Sequence, residues 1–126
     1  MSSDKLIYLI AAEAAERESL SKYFRKHQFN CQVFDGLEAG REGIAGQSPD
    51  LIVLAGSGLP SPDICKFGAA VEQISDAPII ALLTALQMSI VSEMAESENL
   101  WTAEYPISLR EVRASVTEAL QELSAD

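Results

Sequence analysis

The segment PDLIVLAGSGLP, residues 49–60, decides how the rest of the chain is interpreted. Five consecutive apolar residues, Leu51 to Ala55, follow Asp50 and end at a Gly-Ser-Gly sequence. A short apolar run that stops at a turn signal is typical of a strand buried on both faces of a parallel sheet. The segment therefore predicts a central strand with a loop at its carboxyl end, where open α/β sheets place their binding crevice.

The same alternation of apolar runs and helical patterns extends along the whole chain. Further strands are predicted at residues 5–11, 31–34, 78–83 and 101–105, and helices at residues 14–27, 37–46, 63–74, 84–96 and from residue 108 onward. Strands that alternate with helices predict an α/β domain with a parallel sheet. We expect a doubly wound five-stranded sheet of order 2-1-3-4-5, with five helices distributed over both faces.

Two helices carry local signals of their own. The helix predicted at residues 37–46 contains Gly40 and Gly43, each of which costs about 1 kcal/mol relative to alanine, so we expect it to be short or mobile. The last helix begins with Ser108 and Glu111 at the spacing of a capping box, in which the two side chains satisfy free main-chain N–H groups.

Length and charge exclude several classes of protein. A chain of 126 residues predicts a single domain, residues 1–126, which is also compatible with the N-terminal part of a longer protein. Nine basic against 19 acidic residues give a net charge of −10, which disfavours direct binding of nucleic acid. There is no apolar run of membrane-spanning length and no secretory signal, so we expect a cytoplasmic protein that does not enter the membrane. Two distant cysteines and one histidine predict free thiols, no metal site and no cofactor.

Four segments together resemble the receiver domain of two-component response regulators, over almost the whole chain. They are KLIYLIAAE at residues 5–13, SPDLIVL with the following LP at residues 48–60, APIIALLTA at residues 77–85, and YPISLREV at residues 105–112. The resemblance implies the flavodoxin-like fold and a role in bacterial signal transduction. In that family an aspartate after strand 3 accepts a phosphoryl group and, with an acidic pair after strand 1, binds Mg²⁺. A lysine before a proline after strand 5, a Ser or Thr after strand 4 and an aromatic residue on strand 5 complete the site. The resemblance also implies a cis bond between Tyr105 and Pro106.

At most of these positions the chain lacks the residue that the chemistry needs. The positions of the family's phosphorylation site correspond here to Ala11, Ala12, Glu13, Ala55 or Gly56, Thr84 and Tyr105. Mg²⁺ requires hard oxygen ligands, and of the acidic positions only Glu13 supplies a carboxylate. A phosphoryl group in transfer also needs a neighbouring cation, which Tyr105 cannot provide. We therefore predict a pseudo-receiver that is not an enzyme and is not phosphorylated at this site.

Some residues allow two interpretations. Thr84 is either a strand-end cap or turn hydroxyl, or a working switch residue. Residues 56–58 form either a flexible loop or an anion-binding loop. The candidate interface residues are Met88, Ile90, Val91, Met94 and Trp101. The four residues of helix 4 belong either to the core or to a partner-binding surface, and Trp101 is either a half-buried edge residue or a signalling residue that changes rotamer.

Two functions remain open from the sequence. The first is a phosphorylation-independent module that binds a protein partner, or itself, through the face formed by helix 4, strand 5 and helix 5. The second is a small-ligand sensor that uses the vacated pocket lined by Ala11, Ala12, Ala55 and Gly56. An enzyme of flavodoxin-like architecture is disfavoured because no phosphate-binding loop follows strand 1.

Overall fold

The computed structural model describes residues 5–105 and 108–124, with the side chains of the last helix described through residue 121. Pro106, and with it the predicted cis bond, lies outside the described residues. The chain forms β1 Leu6–Ala11, α1 Ala14–Lys26, β2 Asn30–Phe34, α2 Leu37–Gly46, β3 Leu51–Ala55, α3 Ser61–Glu72, β4 Ile79–Leu83, α4 Ala85–Met94, β5 Leu100–Glu104 and α5 Leu109–Ser124. Each predicted element is present, and its ends differ from the prediction by no more than a few residues.

The five strands form one parallel sheet in the order β2-β1-β3-β4-β5, which confirms the predicted flavodoxin-like topology. Ala11 is the register partner of Ala55, and Ala55 is in turn the partner of Leu82. The carboxyl ends of the three central strands therefore meet at one edge of the sheet. This edge is where the predicted site residues come together.

Side chains that alternate along the strands build two separate cores. On one face, Tyr8 and Ile10 of β1 belong to a cluster completed by α2, α3 and α4. On the other face, Ile7, Leu9 and Ala11 belong to a cluster completed by α1 and α5. This two-sided burial explains why β1, β3 and β4 are continuous apolar runs rather than alternating patterns. No helix within the described residues is long and apolar enough to span a membrane.

Helix α2 differs from the expectation drawn from its glycines. It spans Leu37–Gly46, the bounds predicted from the sequence, so its glycines do not shorten it. A Cβ atom added at Gly40 would collide with the side chain of Ile10, and one added at Gly43 would lie 2.5 Å from Cζ of Phe34. The glycines therefore serve close packing of the helix against the sheet, which offsets their low helix propensity.

Candidate functional site

The two candidate acceptor positions at the end of β3 offer no side-chain oxygen. Ala55 is fully buried and contributes its methyl group to the core beneath α1 and α5. A Cβ atom added at Gly56 would lie 2.7 Å from Cδ2 of Leu83 and 2.9 Å from the main-chain oxygen of Leu82. Because Leu82 belongs to the sheet, its oxygen has little freedom to move away. A side chain at position 56 would therefore require the main chain of β4 to shift.

The end of β1 is occupied by a fixed cation of the chain itself. Ala11 is fully buried, whereas Ala12 and Glu13 are exposed. Nη1 of Arg17 donates hydrogen bonds to the main-chain oxygens of Ala11 at 3.0 Å and Ala12 at 3.4 Å. Within residues 5–105 and 108–121, no group of three or more acidic, histidine or cysteine side chains is placed to hold a metal ion. In the sequence Arg17 is one of several charged residues of the helix predicted at residues 14–27, and nothing near it signals this role.

Thr84 acts as the N-cap of α4. Its hydroxyl oxygen accepts a hydrogen bond from the main-chain N–H of Gln87 at 3.2 Å, and Oε1 of Gln87 accepts one from the N–H of Thr84 at 3.0 Å. The pair forms a complete capping box. The Thr84 hydroxyl, which follows the last residue of β4, therefore caps a helix.

The Gln87 side chain also joins the loops that follow β3 and β4. Its Nε2 donates hydrogen bonds to the main-chain oxygens of Gly56 at 2.8 Å and Leu59 at 3.1 Å. The β3–α3 loop is a tight turn closed by the Leu59 N–H on the oxygen of Gly56 at 3.0 Å, with Gly58 at a φ of 79°. One neutral side chain thus holds two loops of the carboxyl edge together. The Thr-x-x-Gln spacing was a readable capping signal, but its bridge to residue 56 was not visible in the sequence.

A polar cluster lies beside the vacated positions, between α1 and α5. Ser57 Oγ donates to Oε2 of Glu16 at 3.2 Å, while Oε1 of Glu16 is buried without a hydrogen-bond partner. The pKa of Tyr105 is raised by its hydrogen bonding to Glu16, by the charge of Glu16, by burial and by the charge of Glu13. These groups line a cleft of about 390 Å³. The lining of this cleft does not include Ala11, Ala12, Ala55 or Gly56, so the open space lies next to the predicted ligand pocket rather than within it.

The candidate interface residues divide between core and surface. Val91 is only 1% exposed and belongs to the core, so it cannot contact a partner, and its place in the candidate interface is corrected. Met88 packs partly buried against the same core. Ile90 is half-buried and Met94 is 48% exposed. Leu86, which the sequence analysis missed, is 72% exposed and precedes Ile90 by four residues.

Trp101 lies on the other side of the edge strand from α4. It is the register partner of Ile80, whose side chain belongs to the core beneath α1 and α5. It is 41% exposed and lines a groove of about 410 Å³ with Ser115 and Glu118 of α5. The apolar residues of α4 and the tryptophan therefore flank β5 from opposite faces.

Comparison with known proteins identifies the fold. No family model matches the chain, and no curated protein is significantly similar to it. Among solved structures, a two-component response regulator from Clostridium difficile superposes with a TM-score of 0.79 at 16% identity, covering 95% of this chain and 98% of that one. Chemotaxis protein CheY4 from Vibrio cholerae gives a TM-score of 0.74 at 11% identity, covering 93% of this chain and 99% of that one.

A third similar structure comes from a larger protein. The N-terminal domain of a response regulator/sensory box/GGDEF three-domain protein from Carboxydothermus hydrogenoformans gives a TM-score of 0.71 at 19% identity, covering 96% of this chain and 98% of that one. The chain has a receiver fold. At these identities the similarity concerns the receiver fold and not the chemistry of its carboxyl edge, which has to be argued from the residues present.

Proposed function

We propose that this receiver fold is a pseudo-receiver, a phosphorylation-independent protein-interaction module in cytoplasmic bacterial signal transduction. The observation that carries the proposal is the Gln87 bridge. Its hydrogen bonds to Gly56 and Leu59 hold the β3–α3 and β4–α4 loops together through groups that belong to the chain itself. The buried Ala55 and the crowded Gly56 further support it, because neither position presents an acceptor oxygen.

The binding surface in this proposal is centred on α4. Leu86, Ile90 and Met94 follow one another at intervals of four residues and so lie on one side of the helix. Leu86 and Met94 are among the few large apolar side chains exposed on the described residues. A contiguous apolar stripe on a soluble domain is typical of a protein-binding site. We call these three residues the α4 stripe.

Charge selects the partner of the α4 stripe. The sequence between Lys66 and Arg110 contains acidic residues and no lysine, arginine or histidine. The acidic residues are Glu72, Asp76, Glu93, Glu96, Glu98 and Glu104. A second copy of this chain would bring the same acids against one another in a twofold contact, which is unfavourable. The partner is therefore a different protein that presents an apolar segment flanked by basic residues.

Trp101 makes this proposal measurable. It is the single tryptophan of the chain and lies partly exposed beside the edge strand β5. The probe is an amphipathic helical peptide without aromatic residues, with leucines on one side and lysines on the other. We expect a saturable change in the amide NMR signals of α4. Tryptophan fluorescence should change as well if the bound peptide also reaches Trp101 across β5. An otherwise identical peptide with glutamates in place of lysines should not bind.

Two variants separate apolar contact from simple charge attraction. Ile90→Asp should weaken binding of the basic peptide by about tenfold or more, although it adds a negative charge that favours the peptide electrostatically. Ile74→Asp is the matched control, since Ile74 is 47% exposed in the turn that follows α3 and lies outside the α4 stripe. Equal effects of the two substitutions on peptide affinity would contradict the proposal. It would also be contradicted if the chain binds only to further copies of itself and not to the peptide.

A further inference from the structure

The cleft between α1 and α5 combines an apolar wall with a carboxylate that lacks one partner. Leu20, Leu82 and Val112 are almost completely buried and form part of its lining. Ser57 and Tyr105 approach the Glu16 carboxylate from the loop ends, yet Oε1 of Glu16 remains buried and unpaired. A buried polar atom without a partner carries a desolvation cost that a bound donor would remove.

The groups around the cleft determine which donor would fit. Its described lining includes two acids, Glu13 and Glu16, and no lysine, arginine or histidine. The nearest arginine along α1, Arg17, is committed to the main-chain oxygens of Ala11 and Ala12. The lining therefore offers negative charge and hydrogen-bond acceptors without a cation of the chain to neutralise them. Charge-assisted hydrogen bonds are the strong ones, so a cationic donor fits better than a neutral one.

The hydrogen-bonding geometry at Glu16 favours an ammonium group over a guanidinium group. A guanidinium group gains most from binding both oxygens of a carboxylate at once. Ser57 already donates to Oε2 of Glu16 at 3.2 Å, and Oε1 is the carboxylate oxygen that lacks a hydrogen-bond partner. An ammonium group acts as a compact point charge and needs only one such acceptor. The cavity volume of about 390 Å³ is at the small end of the range for ligand pockets, which indicates a short ligand.

We infer that the α1/α5 cleft binds a small primary ammonium compound with a short apolar chain, its cation paired with Oε1 of Glu16 and its chain against Leu20, Leu82 and Val112. Oε1 is covered in the present conformation, so the ligand displaces a side chain of the cleft, and Tyr105, which lies beside this carboxylate, is the one expected to move. This places ligand sensing next to the vacated phosphorylation positions rather than in them. The inference does not depend on the α4 stripe.

The test is an amide NMR titration of the whole chain with pentylammonium, pentanol and pentanoate, which share a chain length and differ in charge. We expect saturable shifts around the cleft with pentylammonium, and affinities about tenfold or more lower for pentanol and pentanoate. Glu16→Gln should lower pentylammonium affinity by about the same factor. Glu18→Gln is the matched control, because it removes the same charge from an exposed residue of α1 that pairs with Lys22 at 3.0 Å. Ile90→Asp should leave pentylammonium binding unchanged.

Three results would overturn the inference. One is equal affinity for pentanol and pentylammonium. This comparison uses the unsubstituted chain, so it remains informative even if Glu16→Gln fails to fold. Another is an equal loss of affinity in Glu16→Gln and Glu18→Gln, which would indicate general charge attraction. The third is the absence of saturable shifts at the cleft.

Discussion

The side-chain amide of Gln87 donates to the main-chain oxygen of Gly56 at 2.8 Å, and this bond ties the loop after β4 to the loop after β3. The same side chain accepts from the N–H of Thr84, so the cap of α4 and the inter-loop bridge are one unit. A two-state equilibrium shifts only when something binds one state better than the other. In the proposed pseudo-receiver, Gln87, a permanent part of the chain, supplies that bias in place of a phosphoryl group.

Loss of the Gln87 bridge should destabilise the domain. Gln87→Leu removes the hydrogen bonds to Gly56 and Leu59 and half of the capping box, so we expect the free energy of unfolding to fall by about 1–3 kcal/mol. Urea denaturation measures this change, and hydrogen exchange should show faster opening of the N–H of Leu59. Gln121→Leu, on an exposed position of α5, is the control and should change stability little. Equal stability of the two variants would show that the bridge contributes nothing.

A side chain at position 56 should destabilise the domain. Gly56→Ala places a Cβ atom within 2.9 Å of the Leu82 oxygen, and we expect a loss of about 1–3 kcal/mol in the free energy of unfolding. Gly46→Ala is the matched control, because a Cβ atom there has no neighbour within 4 Å. That substitution should leave stability unchanged or raise it by up to about 1 kcal/mol. A Gly56→Ala variant as stable as Gly46→Ala would mean that the position has room for a side chain.

Much of this architecture could be predicted from the sequence because burial on both faces leaves a strong pattern. The runs in β1, β3 and β4 have no polar interruption, and the bounds predicted for α2 and β3 are those observed. Packing against neighbours was harder to predict. The glycines of α2 predicted a weak helix. Their role in packing depends on contacts with Ile10 and Phe34, which lie on neighbouring strands and not on the helix itself.

For the candidate site, the sequence predicts mainly which side chains are missing. The missing carboxylates at residues 11, 12 and 55 can be read directly, but the contacts that replace them join distant segments. Glu16 and Ser57 are 41 residues apart, and Gln87 and Gly56 are 31 residues apart. On α4 the apolar residues surround the helix, so the sequence alone could not show that Val91 packs inward while Leu86 is exposed.

The titration of Tyr105 should depend on Glu16. Its raised pKa means that folding favours the neutral hydroxyl, so this contribution to stability is present below pH 10.0 and is lost as the pH rises through the folded-state pKa. Glu16→Gln removes the largest causes of the shift, and the pKa of Tyr105 should fall toward 10.0. NMR titration of labelled tyrosine measures this, with Glu18→Gln as the control. If the pKa of Tyr105 is the same in Glu16→Gln and in the unsubstituted chain, Glu16 is not the cause of the shift.

The central claim, that the α4 stripe is competent to bind without phosphorylation, is tested most directly by the affinity of the basic amphipathic peptide measured with and without Mg²⁺ and acetyl phosphate. The intact mass of the protein is determined on the same samples. The account predicts one dissociation constant under both conditions and no gain of a phosphoryl group. A phosphoryl group mapped to residues 50–63, accompanied by a change in peptide affinity, would contradict it.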